Sequence, residues 1–129
     1  MAIKRYLPNA DTTISNAFKS NLVTRGVSGN MGQSDILEVF SIYGQANALS
    51  SELSRVLIQF PISDIVTDRT NGLIPASGSV SWFLKLYNAK HGQTLPKDYT
   101  MTISAVSSLW NEGYGLDMEE YSDIGYANW

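Results

Sequence analysis

A hydrophobic period of two constrains this chain more than any other feature. In residues 55–60, Val56, Ile58 and Phe60 alternate with Arg55, Leu57 and Gln59, the pattern of a strand with one buried face. Val80, Trp82, Leu84 and Leu86 alternate in the same way with Ser79, Ser81, Phe83 and Lys85. A third strand fits 100–106, with Met101, Ile103 and Ala105 on one face. A fourth fits 35–43, where Ile36, Phe40 and Ile42 share a face that Glu38 interrupts. The opening segment through Ile3 and Tyr6 is a weaker strand candidate, and so is 11–14. Trp82, on the Val80/Leu84 face, is expected in the core.

Turn chemistry separates these runs. Ser28-Gly29-Asn30-Met31-Gly32, Asn71-Gly72, Pro75-Ala76-Ser77-Gly78 and residues 88–96 are rich in Gly, Pro, Asn and Ser, which supply a positive or a fixed φ. Asn71-Gly72 is flanked by poor strands and reads as part of a longer loop, not as a hairpin turn. Pro61-Ile62-Ser63-Asp64-Ile65 fits one helical turn. Many short strands spaced by turns, with no internal repeat or linker, predict an all-β fold. The expected architecture is an antiparallel β-sandwich or jelly roll, one domain over 1–129.

Composition narrows the function classes. The chain has 129 residues, enough for one sizeable core, and its 43% hydrophobic and 16% charged content is that of a folding sequence. A net charge of −3 argues against nucleic acid as a partner, which calls for a basic stripe. There is no cysteine, which excludes disulfides, thiolate metal sites and a cysteine nucleophile. Met-Ala-Ile-Lys-Arg-Tyr does not lead into an apolar secretory stretch, and no apolar run reaches membrane-spanning length. The expectation is a protein made in the cytoplasm with no membrane partner.

The order of motifs carries a resemblance. Ala10-Asp11-Thr12-Thr13-Ile14 is followed by Asn30-Met31-Gly32-Gln33-Ser34-Asp35-Ile36-Leu37-Glu38-Val39 and by Ser54-Arg55-Val56-Leu57-Ile58-Gln59-Phe60. Then come Ile74-Pro75-Ala76-Ser77-Gly78-Ser79-Val80 and Val106-Ser107-Ser108-Leu109-Trp110-Asn111-Glu112-Gly113. This series resembles the DNRLRE family of β-sandwich domains, in the version found in structural proteins of tailed phages. The resemblance covers most of the chain. It implies a carbohydrate-binding-module-like jelly roll, an Arg55 that pairs with a carboxylate, and Trp110 as a packing anchor. Domains of this type continue past Asn128-Trp129, so it also implies an incomplete C-terminal edge, completed by further chain or by a partner.

Candidate site residues are few. His91, the one histidine, lies in the polar loop Ala89-Lys90-His91-Gly92-Gln93 without the acid and serine pattern of a triad, and it reads as a solvated loop residue. No nucleotide or hydrolase fingerprint is present. Glu112, Asp117, Glu119, Glu120 and Asp123 gather five of the twelve acids. Of these, Asp117, Glu119, Glu120 and Asp123 form a candidate weak Ca²⁺ site, with a solvated acidic loop as the favoured alternative. Tyr114, Tyr121, Tyr126 and Trp129 are candidate interface anchors, or a platform for stacking sugar rings. Lys4, Arg5, Lys19 and Arg25 make the first quarter basic against an acidic last quarter, which suits head-to-tail contacts.

Together these features predict a non-enzymatic structural protein of a tailed-phage virion, made in the host cytoplasm. Head decoration, a collar or a tail-associated position each fits, with assembly through repeated copies or with other virion proteins. The alternative is a carbohydrate-binding or adhesion module on a fibre or cell surface.

Overall fold

The computed structural model describes residues 3–92, 98–117 and 125–129. Its regular structure is mostly strand, with one short helix. Strand β1 (Ala10–Ser15) and strand β2 (Ser41–Tyr43) flank strand β3 (Ser51–Gln59) in an antiparallel sheet of order β1-β3-β2. The β-branched run Thr12-Thr13-Ile14 suits a pleated surface, and these residues and Ser15 are buried. β1 matches β3 along its whole length, from Ala10 opposite Gln59 to Ser15 opposite Ser54.

β2 is shorter than the alternation over 35–43 predicts. It pairs only from Ser41 opposite Leu53 to Tyr43 opposite Ser51, and Phe40 adds one further bond from the Ser54 amide. Before Phe40 the chain leaves β3, because the Glu38 N–H donates instead to Thr13 Oγ1 at 3.0 Å. A side-chain acceptor on β1 has taken the place of the next rung.

Helix α1 (Ile62–Thr70) is longer than the single turn expected. Asp64 in its first turn and Arg69 in its last complement the helix dipole. Asn71-Gly72 is a helix stop. Gly72 takes φ +72°, and the amides of Gly72 and Leu73 return to the carbonyls of Arg69 and Asp68.

Two predicted strands are not in a ladder. No backbone hydrogen bond joins residues 80–90 or 98–109 to another described segment. Trp82, expected in the core, is 53% exposed, with its ring 6.4 Å from Tyr6. The described residues supply no second sheet for the Val80–Leu86 face to cover. The opening segment is likewise not a strand. It is strapped to α1, where Lys4 Nζ meets Asp68 Oδ2 at 2.8 Å and the Tyr6 hydroxyl donates to the same oxygen at 2.7 Å.

That strap makes a titration prediction. The hydrogen bond to the Asp68 carboxylate pushes the Tyr6 phenol up to about 12, and the Lys4 and Tyr6 bonds hold Asp68 below the usual carboxylate range. The Tyr6 contribution is therefore complete below the ordinary tyrosine value and is lost as pH rises through about 12. The Asp68 contribution is present above the usual carboxylate range and is lost as pH falls through its lowered value. In an alkaline absorbance titration, Tyr6→Phe should remove a phenol that ionises late; loss of an ordinary one would contradict the strap.

Among the described residues the buried apolar side chains are Ile14, Met31, Ile74 and Ala127, while Thr12, Thr13, Ser15, Asn30, Ser50 and Glu52 are buried polar groups. The centre of this chain is held by hydrogen bonds as much as by apolar packing.

Candidate functional site

Two loops far apart in sequence lock together beside β1. Asn30 is fully buried, and its Oδ1 accepts from the Gly115 amide at 2.9 Å and from the Gly32 amide at 3.3 Å. The Gln33 amide returns a bond to the Gly115 carbonyl at 3.0 Å, and Asn30 bridges to Asp117. The Met31 amide reaches β1 through Thr12 Oγ1 and the Thr13 carbonyl. Glycines make the approach feasible. A Cβ at Gly32 would collide with the Glu112 carbonyl, and one at Gly113 or Gly115 would collide with Asn30. Asn30-Met31-Gly32 and Gly113-Tyr114-Gly115 are thus two halves of one clasp.

The clasp brings Glu112 to β1, where its Oε1 accepts from the Asp11 amide at 2.7 Å. Burial, and then the Glu112 charge, raise the Asp11 carboxyl above its ordinary value. A raised acid favours the proton in the folded state. Ionisation therefore costs stability as pH climbs from the ordinary aspartate value through the raised one, and costs nothing in stronger acid. Asp11→Asn keeps the backbone bond and removes the repulsion. It should stabilise the fold by less than about 1 kcal/mol at neutral pH, since solvent still screens this half-buried group. Denaturant midpoints that show the same gain in acid would contradict this origin.

On the β2 side lies a cleft of about 400 Å³, walled by Phe18, Met31, Phe40, Ile42 and Leu116, with Glu38, Glu52 and Asp117 at its polar margin. Glu52 is 1% exposed; its Oε2 accepts from the Phe18 amide at 2.7 Å, and its Oε1 has no hydrogen-bond partner. The Arg25 guanidinium stacks 4.2 Å from the Phe18 ring centroid and donates to the Asn16 and Ser51 carbonyls. These contacts fix the cleft wall.

The aromatic tail is partly tied to its own chain. Tyr114 meets Tyr126 edge-on at 5.2 Å. Trp129 lies 4.0 Å beneath the Arg55 guanidinium, and its amide donates to the Val27 carbonyl. Arg55, expected to pair with a carboxylate, stacks instead on this indole, because position 55 of β3 faces the returning tail. The Ala127 amide donates to the Asn111 carbonyl. Trp110 is half-buried.

Of the candidate calcium ligands only Asp117 is described, and it sits at the clasp. Glu119, Glu120 and Asp123 lie outside the described residues, as does Tyr121. Among the described residues no group of three or more acidic or histidine side chains could hold a metal ion. Sequence reasoning did not single out Asn30, Glu52 or the amides of β3 as functional. The Asn30-Met31-Gly32 spacing reads in the sequence only as turn chemistry, which does not name the segment that meets it.

Residues 80–87 and 99–109 carry many of the exposed large apolar side chains among the described residues. Phe83 (89%), Ile103 (75%) and Leu109 (104%) stand in solvent with Leu84, Leu86 and Tyr87. The chain exposes 10008 Å² in all. A compact monomer of 14.2 kDa exposes about 6,800 Å², so the excess is about 3,200 Å². No helix among the described residues is long and apolar enough to cross a membrane. No protein-family model, curated protein or solved structure matches the chain significantly.

Proposed function

We propose that this chain is a non-enzymatic structural protein of a tailed-phage virion that assembles through repeated copies. The observation that carries the reading is the pair of period-two apolar segments, exposed and outside any ladder, on a chain with about 3,200 Å² of excess surface. A large obligate interface takes about 1,000–2,500 Å² from each partner, so the excess is sufficient for at least one such contact. The order of DNRLRE-like motifs supports a jelly-roll-type sandwich whose second layer forms on assembly. Head decoration, a collar and a tail-associated position are all compatible with this design, as is association with other virion proteins. Tyr114, Tyr126 and Trp129 are proposed as anchors at its margin.

A carbohydrate-binding reading has one observation in its favour. The edge-on Tyr114–Tyr126 pair leaves Tyr114 58% exposed beside the glycine clasp, where a sugar ring could stack. Electron microscopy of the purified protein, together with a glycan array carrying Tyr114→Ala as control, separates the two. Ordered oligomers with flat glycan binding support the structural reading. A monomer with Tyr114-dependent binding to particular glycans replaces it.

A further inference from the structure

The hydrogen-bonding pattern of β3 contains an unfilled strand position. Its odd residues face β1, as the Asn16 amide bonded to the Leu53 carbonyl and the register between the strands require. Its even residues therefore face β2. Glu52 is opposite Ile42, and the Ser54 amide is bonded to the Phe40 carbonyl. Beyond Ser54, β2 has turned away, and among the described residues the backbone groups of Val56 and Ile58 have no partner on that side. Both residues are only half-buried. This is a bare central strand, a template for another strand.

We propose that residues 80–86 of a second copy fill this position, taking up the line that β2 abandons at Phe40. The segment has the length and alternation of a strand, and no backbone hydrogen bond joins it to another described segment of its own chain. Its own Trp82 is held at Tyr6, in the segment that leads into β1, whereas the bare groups of β3 point away from β1. A second copy is the occupant because one chain carries both the template and the strand. Exchange in both directions gives a closed two-fold contact, and the excess surface is of the size such a contact consumes. Main-chain bonds to Val56 and Ile58 supply attachment, while Val80, Trp82, Leu84 and Leu86 place alternate side chains on the sheet.

The inference rests on the assembly reading for the identity of the partner, and its test separates the two. Amide hydrogen exchange is followed across a dilution series of the full chain, with oligomeric state measured in parallel by light scattering. Exchange at Val56, Ile58 and 80–86 should slow at least about tenfold on assembly. Leu84→Lys with Leu86→Lys should weaken association at least about tenfold and retain the strand circular dichroism, since both residues lie outside the sheet. Leu49→Lys, at a 95% exposed turn position outside both apolar segments, should not. Oligomers that leave Val56 and Ile58 unprotected overturn the strand exchange and leave the assembly reading intact. A monomer at every concentration overturns both.

Discussion

Gly115→Ala is expected to destabilise the fold by about 3 kcal/mol, lowering Tm by about 10 °C. The added methyl group would overlap the Asn30 backbone carbonyl, which belongs to a fully buried residue and cannot swing aside as a flexible side chain would. The 113–117 loop must withdraw. Withdrawal breaks the Gly115 amide bond to Asn30 Oδ1 and the Gln33 amide bond to the Gly115 carbonyl. A buried donor or acceptor left unmatched costs about 1–3 kcal/mol, more than the bond itself contributes. Gly72→Ala and Gly78→Ala serve as controls. Both positions open onto free space, but Gly72 has φ +72° and should lose about 1 kcal/mol to backbone strain. Gly78→Ala should be near neutral. Equal midpoints for Gly115→Ala and Gly78→Ala in urea would mean that the clasp does not hold the two loops.

The same clasp shows where the sequence was legible and where it was not. The second half of β3 was readable because its alternation over 55–60 is local, whereas its start at Ser51 was not seen and 11–14 was only a weaker strand candidate for β1. The full extent of α1 was harder to see, since Ile62, Ile65, Val66 and Thr67 are weak helix formers. Its start after Pro61 and its stop at Gly72 define it better than its interior does. The Asn30–Gly115 contact spans 85 residues, and no local pattern encodes a partner at that distance. Residues 80–86 show the same limit from the other side. Their alternation states how a strand would present its faces, but not which backbone completes it. Among the described residues that partner is missing, and the Trp82, Leu84 and Leu86 face is left about half exposed. The Arg55–Trp129 stack was hidden for the same reason, because the ends it joins are brought together only by the returning tail.

Glu52→Ala is expected to cost about 2–4 kcal/mol, a second large effect, and Glu52→Gln to retain most of the stability. Glu52 follows the first residue of β3, and alternation alone marks it as an ordinary polar position. The sheet places it opposite Ile42 with its side chain at the cleft, where it is 1% exposed. Its Oε2 accepts the Phe18 amide bond that anchors the loop bearing the Phe18–Arg25 stack. Alanine removes that acceptor, strands a backbone donor and leaves a void between Phe18 and β2. Arg25 would then lose the ring it stacks on, and its bonds to the Asn16 and Ser51 carbonyls would carry the loop alone. Glutamine has the same shape and can still accept from Phe18 through its carbonyl oxygen. The ordering expected in urea denaturation is therefore wild type and Glu52→Gln close together, with Glu52→Ala well below. A Glu52→Gln variant as unstable as Glu52→Ala would show that the negative charge itself, and not the acceptor geometry, holds the cleft wall.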